Sequence, residues 1–222
     1  MTRVPHCAGF SLLAAVTVVG SGCQSTYYGT MEKFGYHKRD LLVERVEEAR
    51  DSQEDAKEQF ATALEQVTAV VKFSGGDLEA MYRKLDREFD RCQSKASAVS
   101  TRIDSVEKVA EALFQEWERE LEEYKSVDLR AVSERRLLQT RQRYQQLRGA
   151  MRRAEARMKP VLVAFGDQVL FLKHNLNARA ILSLQDELAS VETDIAALIK
   201  EMEISIEEAD VFIQTMGDEK EG

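Results

Sequence analysis

Four stretches of this chain place apolar residues at alternating steps of four and three, and that rhythm limits the fold more than any other feature. The first gives Leu42, Val46, Ala49, Gln53, Ala56, Phe60, Ala63, Val67 and Val70, with Gln53 its only polar member. The second gives Leu85, Phe89, Cys92, Ala96, Val99, Ile103, Val106, Ala110, Leu113 and Trp117. The third runs Leu137, Thr140, Tyr144, Leu147, Met151, Ala154, Met158, Val161 and Phe165. The fourth runs Ile181, Leu184, Leu188, Val191, Ile195, Leu198, Met202, Ser205, Ala209, Phe212 and Met216. Such spacing keeps one apolar seam of a helix facing its partners and favours left-handed supercoiling. Strand signals are missing, since no alternating apolar run lies between turn dipeptides.

The breaks between stretches are legible too. Ser74-Gly75-Gly76-Asp77 reads as a turn with Asp77 placed to cap the next helix. Ser126-Val127-Asp128 can close one helix and cap another, and His174-Asn175-Leu176-Asn177 is a fainter turn. Only two prolines occur; Pro5 is near the start, and Pro160 either kinks or ends the third helix. Segments of about 40 to 48 residues make helices roughly 60 to 70 Å long. The predicted fold is all-α: one elongated antiparallel bundle, a coiled coil of about four long helices running up-down-up-down. The alternative is an open hairpin array that completes its core by dimerising.

The first 22 residues read as an address. Arg3 precedes an uncharged run from Ala8 to Val19, closed by Gly20-Ser21-Gly22-Cys23, which are the parts of a secretory signal. The run is too short for a membrane span of about 20 residues. Cys23 after small residues resembles the lipid-bearing cysteine of bacterial lipoproteins, although Gly20 stands where such signals usually carry Leu. Cleavage without lipidation, leaving a soluble periplasmic protein, is the alternative. In such lipoproteins a residue other than Asp after the cysteine permits outer-membrane sorting; here it is Gln24. Residues 23–40 then form the anchor and a juxtamembrane linker. Its Tyr27, Tyr28, Phe34 and Tyr36, among Lys33, Lys38 and Arg39, suit either a membrane interface or a cap on the bundle's end, the second being preferred. The bundle is expected over residues 41–217, with a disordered tail at 218–222.

Charge sorts by helix. Residues 130–159 carry Arg130, Arg135, Arg136, Arg141, Arg143, Arg148, Arg152, Arg153, Arg157 and Lys159 against only Glu134 and Glu155. The first helix and the end of the second are acidic. The favoured reading pairs the basic helix with these neighbours at seam-flanking positions. The rival is a polyanion-binding face, for nucleic acid or glycan, centred on Arg141, Arg148 and Arg152. A net charge of −8 opposes nucleic-acid binding unless a local patch reverses the sign.

No catalytic site is expected, nor any cofactor, metal or small-molecule substrate. There is no GxxxxGK[ST] or GxGxxG loop, no CxxC and no HExxH, and neither His37 nor His174 follows a Glu by three. Cys92, Trp117 and the seam methionines are read as core. The run Val161-Leu162-Val163-Ala164-Phe165-Gly166-Asp167-Gln168-Val169-Leu170-Phe171-Leu172 is apolar on more than one face. It fits burial on several sides, or a partner groove. Beside it, Phe171, Lys173, His174, Asn175, Asn177 and Arg179 form the one candidate interaction patch.

Several stretches together resemble the bacterial family catalogued as domain of unknown function 2959. They are Gly22-Cys-Gln-Ser-Thr-Tyr-Tyr-Gly29, Met31-Glu-Lys-Phe-Gly-Tyr-His-Lys-Arg-Asp40, Ala150-Met-Arg-Arg-Ala-Glu-Ala-Arg-Met158 and Gln168-Val-Leu-Phe-Leu-Lys-His-Asn-Leu-Asn-Ala-Arg-Ala180. The resemblance covers nearly all of the mature chain and implies a Gram-negative envelope lipoprotein, with no particular activity. A DNA-repair ATPase label carried by some members finds no support in a chain without a phosphate loop. The expected role is a lipid-tethered structural or adaptor protein that binds a protein partner or itself.

Overall fold

The four seams become four long helices. The computed structural model describes residues 38–72, 75 and 77–221, apart from the side chains of 178–180 and 218–221. Helix α1 is Lys38–Val71, α2 Leu78–Glu123, α3 Val127–His174 and α4 Ala178–Glu221. Asp77 caps α2, its carboxylate accepting the Ala80 N–H at 3.0 Å, and the Ser126 hydroxyl caps α3 by accepting from Leu129 at 3.4 Å. Gly75 in the first turn has φ +147°, open to glycine and strained for other residues. Helix α3 runs through Pro160 without ending, although the missing N–H leaves the Ala156 carbonyl without its usual partner. It stops at Asn175, whose backbone N–H bonds the Leu172 carbonyl at 3.1 Å.

Helix α1 packs on α2 and α4, and α3 packs on the same two helices, closing the ring that the open-hairpin alternative would leave unclosed. The register is antiparallel throughout. Lys38, Asp55 and Gln59 of α1 meet Glu116, Lys95 and Glu88 of α2, while Arg50 and Gln53 meet Asp210 and Ser205 of α4. All these helices belong to one unit, His37–Gly222. Helix α1 begins inside the expected 23–40 linker, and α4 stays helical to Glu221 through the expected tail. The signal segment, Cys23 and the aromatic linker residues lie outside the described residues. No described helix is long and apolar enough to cross a membrane.

The core follows the rhythm with three departures. Every member of the first and third stretches is buried, Gln53 and Thr140 included. Phe89, however, is only half-buried: it sits edge-on to Phe165, with ring centroids 5.3 Å apart. Glu88 takes the buried place at 5% exposure, its carboxylate held by Gln59 and Arg91. Trp117 is half-buried because its indole N–H reaches out to the Ser133 hydroxyl at 2.9 Å, with Arg39 over the ring. Leu188 is likewise half-buried, whereas Val109 and Phe114, outside the expected seam, are buried. The expectation of burial on several sides for Val161–Leu172 fails. Val161, Phe165, Val169 and Leu172 point inward, but Val163 and Leu170 remain 58% and 55% exposed, because only two neighbouring helices cover α3.

Candidate interaction surfaces

Three arginines of α3, Arg141, Arg148 and Arg152, are bound to α2. Arg141 pairs with Glu118 at 2.8 Å and lies 5.0 Å over the Phe114 ring. Arg148 reaches Glu107 at 2.6 Å, and Arg152 binds Asp104, Glu107 and Glu155 at 2.6 to 2.7 Å. Hydrogen bonds from Arg152 first, then from Arg148, hold the Glu107 carboxyl down at about 2. Of the three residues named for a polyanion face, each already has a carboxylate partner. These contacts fix α3 against α2 at several heights, which is the seam-flanking arrangement expected of the charge pattern.

The six residues of the predicted patch do not form one surface with one task. Asn175 is structural: its side-chain amide donates to the Phe171 carbonyl at 2.9 Å, closing the end of α3. Lys173 and His174 are exposed in the last turn, where positive charge suits the helix dipole. Asn177 is exposed in the turn, and the Arg179 side chain lies outside the described residues. Phe171 alone, 40% exposed, lines a groove.

That groove lies between α3 and α4, encloses about 420 Å³, and is bordered by Ala164, Gln168, Phe171, Leu184, Glu187 and Val191. Gln168 is the residue sequence reasoning missed. It is 7% exposed, and its side-chain oxygen has no hydrogen-bond partner. A buried acceptor left without a donor costs about 1–3 kcal/mol, and the fold carries that cost at Gln168, beneath a groove whose wall mixes Phe171, Leu184 and Val191 with Asp167, Ser183, Glu187 and Ser190. Its signal was available, since Gln168 continues the seam three residues past Phe165. A second groove of about 920 Å³ runs between α2 and α3, past Phe89, Ala96, Met158, Val163 and Leu170.

Among the described residues no group of three or more His, Cys, Asp and Glu could hold a metal ion. Cys92 is buried, its thiol facing the Gln59 carbonyl at 3.7 Å, and burial pushes its pKa up to about 12, which suits an inert core residue.

No curated protein matches the chain. The model of the family described as protein of unknown function (DUF2959) matches residues 27–216, and the chain belongs to that family.

Proposed function

We propose that this family member is a lipid-anchored envelope protein whose bundle serves as a structural or adaptor body and binds a protein partner without catalysis. The observation that carries the reading is the α3–α4 groove, where Gln168, whose side-chain oxygen has no partner, stands beside exposed Phe171. A partner segment with an apolar anchor would cover Phe171, and a donor on it would meet the Gln168 oxygen once that side chain turns toward the groove. The anchor is assigned to Cys23, on the strength of the uncharged run before it and the small residues at Gly20, Ser21 and Gly22. Attachment to the outer membrane facing the periplasm follows from Gln24 in the lipoprotein reading. Without lipid, the same body would be a soluble periplasmic interaction protein. Polyanion binding through Arg141, Arg148 and Arg152 is the weaker reading, because a polyanion would have to displace Glu118, Glu107 and Asp104.

Capture from solubilised envelopes tests the groove. The full chain should recover a partner that Gln168→Leu and Phe171→Ala both lose while keeping the parent's helical signal. Equal recovery by all three chains would refute the assignment. Intact mass measurement beside Cys23→Ser tests the anchor: acyl mass on a chain starting at Cys23, absent from the variant, is expected. Nucleic-acid or glycan binding with a steep salt dependence, abolished by reversing the three arginines, would favour the rival.

A further inference from the structure

Beyond Gly149 the outer face of α3 carries apolar residues where a bundle helix ordinarily meets water. Met151, Met158, Phe165 and Leu172 point to the core, so Ala156, Val163 and Leu170 occupy the heptad position farthest from it. All three are exposed. They form a second seam on the side of α3 opposite the first. Lys159 lies four residues before Val163 and Asp167 four after; both are exposed, and neither pairs with another described residue.

This stripe is its own complement when reversed. With a second α3 laid antiparallel across the first and Val163 on the twofold axis, residues equally far before and after Val163 face one another. Lys159 then meets Asp167 of the second copy, twice by symmetry, and Leu170 lies over the small Ala156. A parallel pairing would set lysine against lysine and aspartate against aspartate, so the charges select direction. The contact is bounded, because the next pair outward, Arg153 opposite Lys173, is like-charged. The groove between α2 and α3, lined by Lys159, Val163, Asp167 and Leu170 among others, gives the incoming helix a trough beside the stripe. We propose that this face is a homodimer interface, in which α3 of one copy packs antiparallel on α3 of a second copy about Val163. The inference goes beyond the adaptor reading and does not depend on the anchor or on the α3–α4 groove.

Full chains in detergent, followed by sedimentation, should show a dimer. Asp167→Lys or Lys159→Asp alone should weaken it by about tenfold, since each loses two pairs and creates two repulsions. The double reversal should restore affinity to within about threefold by the same reasoning. Co-expressed Lys159→Cys and Asp167→Cys chains should cross-link to each other, over the parent's background, and neither to itself. A monomeric parent, single variants that dimerise like the parent, self-linking of either cysteine variant, or links only to a different protein would each overturn the proposal.

Discussion

Replacing Gln53 by leucine should make this protein more stable, although it removes a hydrogen bond from the centre of the bundle. Gln53 and Ser205 are both fully buried, and the Ser205 hydroxyl donates to the Gln53 side-chain oxygen at 2.8 Å. The amide nitrogen of the same glutamine has no acceptor. A buried donor without a partner costs about 1–3 kcal/mol, whereas the bond to Ser205 contributes about 1 kcal/mol. Leucine removes both terms and adds apolar burial, while Ser205 can turn its hydroxyl to the carbonyl one turn back. The balance favours the variant by about 1 kcal/mol, and Gln53→Leu with Ser205→Ala by about 2 kcal/mol. For a chain of this size those gains raise Tm by roughly 3 and 6 °C. Thermal and urea unfolding followed by circular dichroism measure both. A Gln53→Leu protein less stable than the parent by 1 kcal/mol or more would show that the amide is satisfied in solution, and the reasoning would be wrong. The gain should also loosen the register of α1 against α4, since a single buried polar pair penalises slipped pairings.

Glu107→Gln should cost about 1 kcal/mol, reduced from the full ion-pair value by solvent screening. Because the folded Glu107 carboxyl is held at about 2 against an ordinary 4.5, its contribution is complete above pH 4.5 and is lost as the pH falls toward 2. The parent should therefore lose stability over that window more steeply than the variant; identical acid limbs would sink the assignment. Trp117→Phe should cost about 1 kcal/mol by deleting the bond to Ser133 and weakening the Arg39 contact, read as a drop in the urea midpoint. In a chain whose other cysteines are serine, Cys92 should react with a thiol reagent only as fast as the bundle opens. Rapid labelling in native buffer at neutral pH would contradict its buried, proton-holding state.

What was readable in the sequence is what a helix decides by itself. A step of four and three determines which side of α1 or α3 is apolar, and Asp77 and Ser126 cap from within their own turns. What was not readable depends on neighbours. Glu88 and Phe89 are adjacent and both near the seam; which of them turns inward is settled by Gln59 across from one and Gly166 across from the other. A glycine at 166 leaves room for the Phe89 ring, since a Cβ there would come within 2.9 Å of it. Asn175 looked like part of a binding patch because the same amide chemistry serves ligands and helix ends alike. The run around Phe165 was compatible with burial on several sides or with a partner groove, because apolar composition does not report how many sides are covered. Only the closed square of helices shows that one side of α3 is left facing out.

That leftover side separates the two halves of α3. Between Arg141 and Arg153, four arginines, Arg141, Arg148, Arg152 and Arg153, are held by carboxylates of α2 and α4, so this half is clamped in place. Beyond Ala156 the same helix has grooves on both flanks, an unpartnered side-chain oxygen at Gln168, and valine and leucine at its outermost positions. Folding does not require those choices, because a polar residue at Val163 or Leu170 would leave the core seam untouched and would lower the tendency to associate. A bundle selected for stability alone would carry charge there. The apolar stripe, the two oppositely charged residues around it and the open grooves are accounted for together if the distal half of α3 is covered in the working protein and the proximal half holds it still for that contact.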